Sequence, residues 1–165
     1  MSADARSPRE QMRASLVTLK DVYGITGSFI FSRNGHMVAR ELPAMFDDAA
    51  LHEASSRLTR LQETFAAAGE QLDIAVLRFR DHKIYVKALP AGALCIISNG
   101  GVNMPALRMA ASLVGRRVAP ALDLVADDPV LEEREPPPPA AAAPETRPPM
   151  LAPPGMRRFR GRTVE

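Results

Sequence analysis

Between residues 51 and 68 the apolar side chains fall at Leu51, Ala54, Leu58, Leu61, Phe65 and Ala68, a three-four spacing kept over about five turns. Only an amphipathic helix has that period. Asp47 and Asp48 stand at its start, where a carboxylate can accept from the free amides of the first turn and meet the positive end of the helix dipole. Pro43 closes the segment before it, and Gly69 ends it. A helix of this length in mid-chain needs a layer to lie on, so the flanking segments must supply one.

They read as strands. Residues 28–32 and 36–40 flank Arg33, Asn34 and Gly35, and Asn-Gly is the pair that a tight type I′ hairpin favours. After Gly69, residues 72–80 place Leu77 and Phe79 on one side, residues 84–89 follow a turn at Asp81 and His82, and residues 93–98 follow a turn at Pro90, Ala91 and Gly92. The last run, centred on Leu94, Cys95, Ile96 and Ile97, is apolar on both faces and should be a central strand. Two more helices close the series. Residues 8 to about 22 carry a stripe at Met12, Leu16, Leu19 and Tyr23 that Gly24 and Gly27 end. Residues 105 to about 118, capped by Asn103, bury Leu107, Ala110, Ala111 and Val114.

The order α-β-β-α-β-β-β-α predicts an α+β fold of three layers around a five-stranded antiparallel sheet. The layers do not balance. If the terminal helices share one face, the middle helix must cover the other alone, and a helix about 10 Å across does not shield five strands spaced about 4.8 Å apart. A second copy would complete that layer, so Leu51, Ala54, Leu58, Leu61 and Phe65 are expected at a dimer interface.

Composition divides the chain. It has 165 residues, 46% hydrophobic and 24% charged, which suits one ordinary globular domain with a tail. Ten of the fifteen prolines lie between Pro129 and Pro154, in a stretch too poor in large apolar residues to offset its own ordering entropy. The expected organisation is a flexible N-terminus over 1–8, a folded domain over 9–122, a disordered Pro/Ala-rich linker over 123–155 and a basic peptide over 156–165. In that peptide Arg157, Arg158, Arg160 and Arg162 surround Phe159, a pattern able to anchor an aromatic ring while pairing with acidic groups, phosphates or anionic lipid. An unstructured, solubilising end explains the same residues.

Several function classes find no support. Net charge is only +2, which argues against specific nucleic-acid binding. No run approaches the roughly 18 apolar residues of a membrane span, and a single cysteine, Cys95, suits a reducing, cytoplasmic setting without disulfides. Cys95 lies inside an apolar strand, a poor place for a nucleophile. His36, His52 and His82 fall on a hairpin, a helix and a turn, without metal-ligand spacing. There is no phosphate-binding G-x-x-x-x-G-K-[ST] loop, and Asn99, Gly100 and Gly101 have the position of an anion site but not its lysine or hydroxyl. No cofactor, no metal and no intrinsic catalysis are expected.

With these segments in place the chain resembles the Roadblock family, the dynein-light-chain type of domain. The resemblance spans about residues 9–119 and lies in the element order, in the hairpin GSFIFSRNG from Gly27 to Gly35, in LPAMFDDAALHEASSRLTRL leading into the middle helix, and in LPAGALCIIS before a glycine loop and helix. It implies homodimers, or heterodimers with a second Roadblock protein, formed through the middle helix and an adjoining strand. It also implies a Ras-like small GTPase as partner, bound across the two middle helices by a non-catalytic regulator or scaffold, in some members with faster GTP hydrolysis. Arg57 and Arg60 are candidate contacts by their place on that helix alone, and a solvated helix face is the plainer account of them. The other reading is a structural adaptor that dimerises through its domain and recruits a partner with Arg157, Arg158, Phe159 and Arg160.

Overall fold

The structure, a computed structural model, describes residues 6–127. Helix α1, Pro8–Val17, opens with a reciprocal cap in which the Ser7 hydroxyl accepts from the Glu10 amide and the Glu10 carboxylate accepts from the Ser7 amide. A 3-10 turn, Thr18–Asp21, follows, and Val22 is already extended. The helical period therefore stops before residue 23. Met12, Leu16 and Leu19 are fully buried as expected, whereas Tyr23 is 86% exposed and is not part of that stripe.

Strands β1, Ile25–Ser32, and β2, Met37–Glu41, form the hairpin. Its turn is not type I′. Only Gly35 has positive φ, the Gly35 amide donates to the Ser32 carbonyl, and the Ser32 amide donates to the His36 carbonyl, which makes a three-residue loop with glycine in the left-handed position. Helix α2, Asp48–Ala67, precedes strands β3, Ile74–Arg78, β4, His82–Leu89, and β5, Gly92–Asn99. Helix α3, Met104–Val125, ends the described chain.

The sheet has the order β2-β1-β5-β4-β3 with antiparallel neighbours throughout, so β5 is central and β2 and β3 are the edges. Strand β5 is buried from Gly92 to Ser98, the pattern of a strand covered on both sides. A Cβ on Gly92 would lie 2.0 Å from the Phe31 carbonyl oxygen, so the start of β5 approaches β1 too closely for any side chain.

Alternation along the strands sends residues to two cores. Ile30, Tyr85, Leu94 and Ile96 meet α1 and α3, while Phe29, Phe31, Val86, Ala93, Cys95 and Ile97 meet α2. This is the three-layer, five-stranded α+β architecture that the element order predicts. Helix α3 runs past the expected end near residue 118, through Pro120 and into residues 123–125 that composition assigned to a linker. Proline removes a helical hydrogen bond at a cost of about 3 kcal/mol. Val118, Leu122 and Val125 are all buried beyond or beside it, each contributing about 1.5–3 kcal/mol, and the sum favours the helix.

Candidate functional site

Helix α2 is fixed at its start by the Asp47 carboxylate, which accepts from the Ala49 amide at 3.2 Å, and by an ion pair between Arg40 of β2 and Asp48. At its end Gly69 takes φ +80°, and the Glu70 amide returns to the Phe65 carbonyl at 2.9 Å. Both signals are those read from the sequence. Leu51, Ser55 and Leu58 are buried, and Leu51 and Leu58 pack in one cluster with Phe29, Phe31 and Ile97. The buried Ser55 hydroxyl donates to the Leu51 carbonyl at 2.9 Å, which satisfies it within the helix.

That placement divides the residues expected at the interface. Leu51 and Leu58 are 4% and 8% exposed within one chain, so they pack in its own core. A three-four period states that a helix has an apolar side; it does not state which surface that side faces. Ala54 and Leu61 are half-buried, and Phe65 is 39% exposed. From Glu63 to the end of α2 every residue is exposed, including Phe65, Ala66 and Ala67. The helix therefore overhangs its sheet by about one turn, and the overhang is largely apolar.

The sheet beneath is open on the same side. Ala75 and Leu77 of β3 and Ile84 of β4 pack against the α2 cluster only in part, Phe79 just past β3 is 59% exposed, and β3 has a free edge. Arg57 is exposed and paired with Glu53 one turn earlier, and Arg60 is exposed beside it. Arg157, Arg158, Phe159 and Arg160 lie outside the described residues.

The remaining polar features are resolved by their partners. Burial pushes the Cys95 thiol far above its ordinary pKa and keeps it protonated. In the loop after β5 the Gly100 amide donates to the Asp81 carbonyl and the Gly101 amide to Asn99 Oδ1, while Asn103 Oδ1 caps the Ala106 amide. These amides are spoken for within the chain. His36 and His52, expected on separate elements, are half-buried with ring centroids 6.4 Å apart, because the hairpin turn seats on α2. No group of three or more His, Cys, Asp or Glu capable of holding a metal occurs among the described residues. No helix among them is long and apolar enough to cross a membrane.

No family model matches the sequence, and no curated protein matches it. Solved structures do match. Myxococcus xanthus MglB superposes with a TM-score of 0.62 over 76% of this chain and 95% of that one, at 11% identity. A Roadblock/LC7 domain from Streptomyces avermitilis gives 0.58 over 67% and 97%, at 13% identity.

The chain has the Roadblock/LC7 fold. The gliding protein mglB of Thermus thermophilus superposes similarly, with a TM-score of 0.60 over 75% of this chain and 95% of that one, at 13% identity. The Roadblock fold accordingly spans almost the whole of each of these neighbours. At such identities the likeness is carried by the arrangement of elements rather than by shared side chains, as the hairpin, middle helix and glycine loop imply.

Proposed function

We propose that this chain is a dimeric, non-catalytic regulator or scaffold that binds a Ras-like small GTPase. One observation supports it above the others: the apolar overhang of α2, with Leu61 half-covered and Phe65, Ala66 and Ala67 exposed beside the open edge of β3. Water contact along such a surface is unfavourable, and a second copy laid against it would bury Phe65 and Leu61 and extend the sheet through β3. The reading moves the interface from Leu51 and Leu58 to the C-terminal half of α2. Ala54 lies nearer the intramolecular seam and contributes little. Self-association also has a parallel among the neighbours, one of which is titled MglB with tetrameric arrangement.

In such a dimer the outer sides of the two α2 helices form a shared surface with Arg57 and Arg60 on it. Arg60 presents its guanidinium to solvent, and Arg57 can exchange Glu53 for a partner carboxylate at little cost, since exposed i,i+4 pairs contribute only a few tenths of a kcal/mol. A Ras-like GTPase is the partner that the family resemblance implies for this surface.

The test has two stages. Light scattering on the full chain should give twice the mass of one copy, and Phe65→Asp should give a folded monomer by circular dichroism. The Ras-like GTPases of the source organism, loaded with GTP or with GDP, are then presented to the wild type and to Arg57→Ala/Arg60→Ala. Retention of the GTP form by wild type, weakened in the double variant, is the expected result. A wild-type monomer removes the dimer, and equal behaviour of the double variant removes the α2 surface. Truncation after Asp127, which leaves α3 intact, should preserve binding; its loss would transfer recognition to the C-terminal segment.

A further inference from the structure

On the opposite face of the sheet, Arg78 of β3, Lys83 of β4 and Arg108 of α3 line one cleft of about 330 Å³, with Val76 and Met104 as its apolar walls. We propose that this cleft is a binding site for a small phosphorylated ligand, its phosphate held by Arg78, Lys83 and Arg108 and its body lying on Val76 and Met104.

The register puts Arg78 directly across from Lys83, and like charges facing one another across a strand pair are unfavourable. Arg108 adds a third. Among the described residues none of the three makes an ion pair, whereas Lys20, Arg33, Arg40, Arg57 and Lys87 each have a carboxylate partner. Arg60, Arg80, Arg116 and Arg117 also make no ion pair among the described residues, but none of them lines this cleft; the three cations that do converge on one small volume, which argues for a compact anion rather than a nucleic-acid backbone. Lys83 uses one donor on the Gly100 carbonyl at 2.9 Å, which fixes its ammonium beside the loop and leaves two donors.

A second observation lies nearby. Tyr85 is 1% exposed, and its hydroxyl has no hydrogen-bond partner. It stands on β4 two residues from Lys83 and opposite Val76, and it is near enough to Arg108 for that charge to oppose the rise in its pKa caused by burial. A buried hydroxyl without a partner is unusual, and this one stands close to Arg108 of the cleft although Tyr85 does not line the cleft itself. The Gly100, Gly101 and Ala106 amides already donate within the chain, so recognition falls to the side chains.

Three cations suit a phosphate better than a carboxylate. A phosphomonoester carries about −1.5 to −2 charge on three acceptor oxygens, and arginine can engage two of them at once. The volume is at the small end of the range of ligand clefts. The cleft faces away from α2, and it shares only β3, through Val76 and Arg78, with the dimer contact proposed above.

The experiment is a titration of the full chain, followed by amide NMR, with inorganic phosphate, adenosine 5′-monophosphate and adenosine. Shifts are expected at Arg78, Lys83 and Arg108 with both phosphates, with tighter binding of the monophosphate and none of adenosine. Arg78→Gln and Arg108→Gln should each weaken binding about tenfold, since each removes a charge-assisted hydrogen bond. Arg117→Gln, on the far side of α3, should change it less than about twofold. Absence of shifts at the cleft, an equal loss in Arg117→Gln, or adenosine binding as well as its monophosphate would each overturn the proposal. Equal affinity for inorganic phosphate and the monophosphate would overturn the apolar contact with Val76 and Met104.

Discussion

The two faces of the sheet use the same five strands and are finished differently. On one, α1 and α3 lie side by side and bury nineteen hydrophobic residues with the strands beneath, including six from α3 beyond Leu107. On the other, α2 lies alone and only eight are buried, of which the helix itself supplies Leu51 and Leu58. The strands do not cause this difference, because Phe29, Phe31, Cys95 and Ile97 are as apolar as Ile30, Leu94 and Ile96. Helix count does. One face is a deep core under two helices, with Met109, Leu113 and Leu124 of α3 left exposed on its outside, and the other is a thin cover with apolar surplus at its margin, an arrangement a partner can complete.

The largest contrast is read without any substitution. Cys95 sits under α2, and its labelling by a thiol reagent should be slowed at least about a thousandfold relative to the unfolded chain. If labelling proceeds by lifting of α2 rather than by global unfolding, its rate will be insensitive to low urea, which would sharpen the contrast into two stabilities. Next, Leu58→Asp places an unpaired charge inside one chain and should cost about 3–5 kcal/mol. The expected outcome is loss of the fold at every protein concentration, and a folded monomer would show that Leu58 faces a partner after all. Leu122→Ala on the two-helix face should cost about 3 kcal/mol in urea denaturation. Leu61→Ala on the thin face should cost under about 1 kcal/mol in dilute solution and more as concentration rises. Equal costs at all concentrations would erase the comparison.

The smallest effect lies at the rim of the two-helix face. Glu41 of β2 accepts a hydrogen bond from Lys20 and is approached by Arg13, which hold its pKa below the ordinary value of 4.5. Its folded form prefers the charged state, so its contribution is present above the unfolded pKa and lost as pH falls through the lower folded one. Glu41→Gln should cost under about 1 kcal/mol at pH 7, with the difference from wild type vanishing as pH drops well below 4.5. A difference that persists in acid would assign the effect to packing instead.

Much of this was legible in the chain. The caps of α2 at Asp47 and Gly69, the central place of β5 and the inequality of the layers all follow from periods and turn residues. Four things were not. The last helix reads as ending near residue 118, yet burial of Leu122 and Val125 carries it through Pro120. Asn-Gly reads as type I′, yet Asn34 keeps negative φ and the loop gains a residue. The stripe on α2 reads as one seam, yet it divides between an inner surface at Leu51 and Leu58 and an outer one at Phe65. Arg78, Lys83 and Arg108 read as scattered charge, because only strand register and the return of α3 bring residues so distant in sequence into one cleft.

The hairpin turn has a mechanical consequence. Gly35 rests against Ser56 and Thr59 of α2, the Arg33 amide donates to the Ala91 carbonyl at 2.8 Å, and the Arg33 guanidinium meets Asp127 at 3.6 Å. One corner of three residues therefore touches the thin cover, the turn before the central strand and the last described residue of the chain. Splaying of the hairpin would therefore loosen its contacts with α2, with the turn before β5 and with the end of α3 together, the exposed ion pair at Asp127 being the weakest of the three.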